Sequence, residues 1–550
     1  MKPSNPYWAV AMWSAMFLAL APSLCAQQAP APRPTGVPQD WSDRRIIFSR
    51  DALAQHPDLI YREPRVLYQA MQRWQAPNSD VFRGVDPRPT PAEASGQRRD
   101  WSQALASRIA PNMSPAKYSF DPGAPPSCSG DYVLFGLAVA ETAGASGTGV
   151  HPNLVALNNL YAGTGGLCGA APTVLFAYNI TTATGGKIVT SPILSENGNK
   201  VAFVESLGTS AIFHVLTWTA NQGTLTAAAA PTMTSLTFSA TATSTTSSPW
   251  IDYASDIVYL GADNGQVYKI TGVFKGTPTI ATGVWPVTVS TGFHLTSPVL
   301  DETLGVLMVG STNGSLYQIN ISTGAVATLV IGKSGGTNPG LLATPTVDVT
   351  NGTTFVVSAN DGTSGVLVEV DTAAMTQLSK ARIGIAAAFS PAPTPPISLY
   401  EPAFNNDYFN NPRTGVVRLC GTGASDNTPW QYAFGFTGRT LRTSALFSKQ
   451  LLTSTAARCT GWTEFFNPNV GTGGTDFFFF GLTQDCTGTG TSGCVAELSG
   501  NTAPTATAAV SGGPSGIVVD NYATAGQASS IYLMANKFDA AYKFTQNGLQ

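Results

Sequence analysis

Three consecutive stretches of this chain repeat one pattern at a nearly constant interval, and that periodicity limits the fold more than any other feature. The stretches are SPWIDYASDIVYLGADNGQVYKITG, SPVLDETLGVLMVGSTNGSLYQINISTG and TPTVDVTNGTTFVVSANDGTSGVLVEVDTAA. Their leading prolines, Pro249, Pro298 and Pro345, lie 49 and 47 residues apart. Their turn glycines, Gly265, Gly314 and Gly362, lie 49 and 48 apart. Two landmarks that keep one period define a repeating supersecondary unit.

Each unit reads as a series of short strands. A first strand begins at Ser/Thr-Pro, where proline costs no ladder bond. It ends at Asp252, Asp301 or Asp348, which read as turn caps. A second strand follows, then an Asn-Gly or Asp-Gly hairpin that needs positive φ, then a third strand and a looser fourth. The same logic makes Asp263, Asn264 and Asp361 turn residues, since an EF-type calcium loop with its terminal Glu is missing.

Weaker copies start at Asp131, Ser191, Glu401, Thr463 and Pro514, giving eight starts spaced roughly 46–64 residues. The last copy ends after AAYKFTQ without a fourth strand, and KYSF at Lys117–Phe120 is expected to supply it. The fold expected is all-β, a propeller of seven or eight four-stranded blades. A string of sandwich domains is the alternative, but each needs about 100 residues, twice this repeat. DFFFF at Asp476–Phe480 reads as a strand buried on both faces.

Composition divides the chain. Charged residues are 11% overall, against roughly 25% in an ordinary soluble protein. From Gln27 to Ala116 there are 12 Arg, 9 Asp or Glu and no Lys, far denser than the rest. The division expected is a signal peptide over 1–26, a Pro/Arg-rich extension over 27–116 and the propeller over 117–550. Within the extension Leu59, Leu67, Met71 and Trp74 fall on one helical face, so a short helix is expected from about Arg65. The remainder reads as irregular. A net charge of −3 argues against nucleic acid, whose binders carry a basic footprint.

Lys2, an apolar run over Trp8–Ala21 and small Ala26 give a secretory signal layout with cleavage after Ala26. The run is too short to span a membrane, and no other apolar stretch is long enough. Leu24 before Cys25 argues against a lipid anchor. The expected setting is secreted or periplasmic, with the mature chain a monomer.

Export leaves six cysteines, an even number that reads as a disulfide set. Several connectivities are open. Nearness along the chain favours Cys128–Cys168, Cys420–Cys459 and Cys486–Cys494. The rival is a metal site, but no CxxC and no nearby His support it.

The trio resembles the repeats of quinoprotein-like (PQQ-like) β-propellers of bacterial exported proteins. The resemblance rests on the Ser-Pro-led strand, its terminal Asp, the glycine hairpin, and third-strand endings such as LYQINISTG at Leu316–Gly324 and LFAYNITTATGG at Leu175–Gly186. It is good over about 190–375 and looser to the C-terminus. For function it implies an alternative, a dehydrogenase oxidising an alcohol or sugar with calcium-held PQQ in the central channel. The adjacent Cys pair of the alcohol dehydrogenases is absent, as is the Trp expected after Thr-Gly.

No catalytic or metal constellation stands out. His56, His151, His214 and His294 form no HxxH, HExxH or CxxCH pattern, and read as structural. GxSxG and Walker motifs are missing. Asn405, Asn406, Asp407 and Tyr408 in NNDYFNNP form a possible ligand loop. The leading expectation is therefore a binding or scaffolding module for a protein or glycan, without a cofactor. A lyase or glycosidase on the same fold would need paired carboxylates in one mouth of the ring.

Overall fold

In the computed structural model the described residues are 36–73, 97–110, 113–120, 126–163, 166–208, 210–239, 245–333, 340–385, 401–411, 414–467, 470–486, 493–500, 503–520 and 530–546. The expected signal segment 1–26 and Trp74 lie outside them.

Each repeat folds as the hairpin signals dictate. In the second clear repeat Val299–Asp301 pairs antiparallel with Val306–Gly310, that strand with Ser315–Asn320, and that with Val326–Val330. Asp301 Oδ1 accepts the Leu304 N–H at 3.0 Å and Asp348 Oδ1 accepts the Thr350 N–H at 3.0 Å. Asp252 Oδ1 does the same for Ser255 at 3.1 Å. The repeated aspartates are thus turn caps. The turn glycines are needed for conformation and for space. Gly265 has φ +81°, and a Cβ there would stand 1.1 Å from the Ser290 carbonyl oxygen.

Eight such sheets form the ring. Their inner strands are Ala116–Ser119, Ile193–Leu194, Trp250–Asp252, Val299–Asp301, Thr346–Asp348, Ala403–Phe404, Thr463–Asn467 and Val518–Asp520, which open blades I to VIII. Inner strands of blades III, IV and V touch in succession, as do those of blades VI, VII and VIII and those of blades I and II. In blade VII, Phe477, Phe478, Phe479 and Phe480 are all buried, which is the two-faced burial expected of that run.

Two strand assignments differ from the sequence reading. The stretch beginning at Asp131 is the second strand of blade I, whose inner strand is Ala116–Ser119. Consequently Lys117–Phe120 does not complete the last blade. Gln97–Ala104 does so, paired antiparallel with Ala540–Gln546. TVLFAY is likewise the outer strand of blade I, with Leu154–Asn158 as the third. The weak early copy lacks the Ser/Thr-Pro mark, so its phase could be read one strand late.

The disulfides are Cys128–Cys168, Cys420–Cys459 and Cys486–Cys494. They join residues 40, 39 and 8 apart. Among the described residues no helix is long and apolar enough to cross a membrane.

Candidate functional site: the plugged axis

An eight-bladed ring leaves a wide axis, and here the chain's own residues 37–73 occupy it. Val37–Gln39 adds a fifth, innermost strand to blade I, with Val37 opposite Ser119 and Gln39 opposite Lys117. Asp40 then caps a single 3-10 turn, Trp41–Arg44, by a reciprocal capping box with Asp43. Ile46–Ile47 adds an innermost strand to blade V, parallel to Val347–Asp348. Blades I and V stand opposite each other in a ring of eight, so this short segment bridges the axis.

Helices follow: α1 (Arg50–Gln55), α2 (Leu59–Arg62) and α3 (Pro64–Arg73). Pro64 sits at the first position of α3, where its missing N–H costs nothing. The start agrees with the helix expected from Arg65. Gln69 ties α3 back to the plug strands. Its Nε2 donates to the Ile46 carbonyl at 2.6 Å, and its Oε1 accepts the Phe48 N–H at 3.1 Å.

The plug reaches every blade. Its first strand lies against Ile193–Leu194 of blade II as well as blade I. The Trp41 indole N–H donates to the Pro249 carbonyl of blade III at 3.1 Å, and the ring stands edge-on to Trp250. Glu63 lies close enough to Glu302 of blade IV for its negative charge to raise that carboxyl's pKa. Arg45 pairs with Glu401 of blade VI, and Arg73 with Glu464 of blade VII through both oxygens. The Tyr68 hydroxyl donates to the Val519 carbonyl of blade VIII at 3.4 Å.

Arg65 is the electrostatic centre of this arrangement. Its side chain is 1% exposed, its guanidinium lies 4.2 Å from the centre of the Trp250 ring, and Nη1 is 3.0 Å from Glu63 Oε1. It also donates to Ser42 Oγ at 2.7 Å and to the Ile251 carbonyl at 3.1 Å. Burial opposes its charge, but Glu63, Asp40 and Asp43 hold the guanidinium protonated. The carboxyls respond in the other direction. Burial, and then Asp40, pushes Asp43 well up, while burial raises Glu63 despite Arg65. Glu302 is pushed up to about 8, by burial first and then by the negative charges of Glu63 and Asp252. On the opposite wall burial raises Glu464 and Asp476, while the nearby Arg73 cation opposes both shifts.

A quinone in the central channel would need the volume that this plug fills. Val37 and Val66 are fully buried there. The cavity beside Arg44, Gln69, Arg73 and Glu464 is about 40 Å³, room for a few waters. These residues do not fit a multi-ring cofactor. Among the described residues no three His, Cys, Asp or Glu converge as metal ligands.

The loop Asn405, Asn406, Asp407, Tyr408 forms the start of a short helix, α4 (Asn406–Asn410). Asn405 Oδ1 accepts from Tyr408 N–H at 3.3 Å and from Val416 N–H at 2.7 Å. The Tyr408 hydroxyl donates to Asp348 Oδ2 at 2.7 Å, and its ring is 1% exposed. Asn406 N–H donates to Asp476 Oδ1 at 2.7 Å. Asp407 follows in the first turn. Phe409 lies beneath the Arg73 guanidinium at 3.5 Å, so the loop supports the plug.

The histidines stand apart. His214 is buried between Glu205 and Ser235, and His151 lies 3.1 Å from Glu141 at the surface. His294 contacts the buried Asp263 carboxylate at 2.9 Å, which raises its pKa. His56 is exposed on the loop before α2.

No protein-family model and no curated protein matches the chain. Solved structures do. BamB from Moraxella catarrhalis is 12% identical, over 82% of this chain and 97% of that one, with a TM-score of 0.43. Sqt1 from Chaetomium thermophilum is 14% identical, over 84% and 98%, with a TM-score of 0.46. The WD40 domain of Toxoplasma gondii coronin is 11% identical, over 63% and 79%, with a TM-score of 0.38. At such identities nothing about activity passes from one chain to another.

Proposed function

We propose that this protein is an exported β-propeller that works as a binding or scaffolding module, meeting a protein or glycan partner with its outer surfaces. One observation carries the reading: the axis, where a propeller enzyme of the quinoprotein kind would hold its cofactor, is packed with the chain's own residues 37–73. Rigid blades closed around a filled centre suit presentation of loops. The three disulfides are compatible with an oxidising extracellular or periplasmic setting.

The alternatives meet physical obstacles at the same place. A PQQ-dependent dehydrogenase would first have to expel the plug. A glycosidase needs two carboxyl groups about 5–9 Å apart with a sugar between them. Acidic groups do converge at the axis, but Glu63 is tied to Arg65, its Oε1 3.0 Å from Nη1. Glu63 is also buried.

The test is the melting temperature of the purified chain with calcium plus PQQ, and separately with a glycan panel, followed by cross-linking in the native cell envelope. A ligand at 100 times its Kd adds about 2.7 kcal/mol. The expected result is no shift with calcium and PQQ, with a glycan shift or a reproducible cross-linked protein. A rise with calcium and PQQ would overturn the reading in favour of the dehydrogenase.

A further inference from the structure

Blade IV ends in the strand Val326–Val330, and the hydrogen bonds flanking it show which way its backbone faces. Asn320 N–H donates to the Ala325 carbonyl at 2.9 Å at one end, and Ile331 N–H to the Gly314 carbonyl at 2.9 Å at the other. The register between them pairs Ile319 with Val326 and Ser315 with Val330. Bonded positions alternate in an antiparallel ladder. Residues 325, 327, 329 and 331 therefore bond inward. Val326, Thr328 and Val330 turn their N–H and C=O groups to the outer edge, where no described strand pairs with them.

The side chains of these three residues are also exposed. Val326 is 41% exposed, and Val330, at 73%, is the most exposed large apolar residue among those described. Five of the seven other outer edges are protected; those of blades II and VII, Met233–Ser239 and Ala506–Ala509, are uncharged as well. That of blade I is covered through bridges from Phe176 to Gln222 and from Tyr178 to Ala229. Blade III has its outer strand broken into Thr279–Ile280 and Val287–Thr288. The outer strands of blades V, VI and VIII carry Lys380 and Arg382, Lys449, and Arg98, Arg99 and Asp100. Such charges deter edge pairing. Val326–Val330 has neither charge nor proline.

Read outward, the edge is Val, Thr, Val, the same in both directions about Thr328. A two-fold contact needs one self-complementary patch, and this edge is one. We propose that two copies of this chain pair antiparallel through Val326–Val330, joining two four-stranded blades into one eight-stranded sheet. Thr328 of each copy faces Thr328 of the other, and Val326 faces Val330. The three facing positions on each copy exchange about six backbone hydrogen bonds, with Thr–Thr and Val–Val cross-strand contacts above them. This dimer departs from the monomer expected from sequence and does not depend on the binding-module reading.

The experiment is sedimentation of the purified full chain over a concentration series, with Thr328→Lys and Thr328→Cys beside it. The expected mass is twice the 57.3 kDa of one chain. Thr328→Lys sets lysine against lysine at an exposed position, so it yields monomer with an unchanged melting temperature. Facing Cα atoms in a bonded pair are about 5.5 Å apart, within disulfide range. Thr328→Cys therefore cross-links on mild oxidation, whereas Thr507→Cys, on the outer strand of blade VII, does not. A monomer up to ~100 μM, a dimer that survives Thr328→Lys, or equal cross-linking at both cysteines would overturn the proposal.

Discussion

Arg65 stabilises the plug by satisfying acids that the ring has already buried. Replacing it with Met would leave Glu63 and its neighbours without their cation in a dry environment. Removing one partner of a buried pair costs about 3–5 kcal/mol, so Arg65→Met should lower the denaturant midpoint sharply. Arg65→Lys should recover little of this, because an ammonium lacks the planar stacking on Trp250 and the fork of donors. Glu302 gives a pH signature. Its folded pKa of about 8 lies above its ordinary 4.5, so the folded state holds the proton more tightly. That contribution is complete at pH values below the ordinary pKa and is lost as pH rises from 4.5 towards 8. Glu302→Gln should flatten the decline over this range, by on the order of 1–2 kcal/mol after allowance for its partial exposure. Unfolding measured at pH 5, 7 and 9 checks it, and parallel profiles for the two proteins would refute the assignment.

At the scale of elements, the strand Gln97–Ala104 closes the ring. Trp101 is 6% exposed, and its indole N–H donates to the Leu160 carbonyl at 2.9 Å, linking blade VIII to blade I. Buried ion pairs reinforce the seam, with Lys543 2.7 Å from Asp100 and Lys117 2.7 Å from Asp520. Trp101→Ala should cost about 3–5 kcal/mol. Faster amide exchange in Ala540–Gln546 than in the strands of blade IV would locate the damage. This element also shows where sequence reading ran out. Regular Ser/Thr-Pro, Asp and Asn-Gly marks made blades III to V legible, because each mark answers a local requirement of a turn. The missing fourth strand of the last copy was legible as well. Its donor was not, since QRRDWSQA carries charges whose partners, such as Lys543, lie some 440 residues away. The charge density over 27–116 set it apart as a Pro/Arg-rich extension outside the propeller. In fact Arg45 and Arg65 are buried against acids supplied by distant blades or by the segment itself, and pairing across such distances leaves no local pattern.

For the whole molecule, the plug and the ring belong to the same compact unit. Residues 34–550 make a single compact unit. A chain lacking 36–73 would expose Trp250, Glu401 and Glu464 to an open axis. It should therefore fail to reach a cooperative native state, as judged by a broad thermal transition and dye binding. A deletion variant with an unchanged sharp transition would show that the ring stands without its centre. The legible part at this scale was the ring itself, because eight copies need closure to hide their edges. The filling of the axis was not legible, because a 37-residue plug has no period.

The strand that closes the ring comes from residue 97 onward, whereas its partner ends at residue 546. A chain delivered from its N-terminus therefore presents plug and clasp first and the strand they await last. Until Ala540–Gln546 has emerged, Gln97–Ala104 has no ladder to join. The early segment must remain open while more than four hundred intervening residues are delivered, and final locking can begin only once Ala540–Gln546 is available. Appearance of that one late strand, rather than completion of the seven blades before it, sets the earliest moment at which the ring can close.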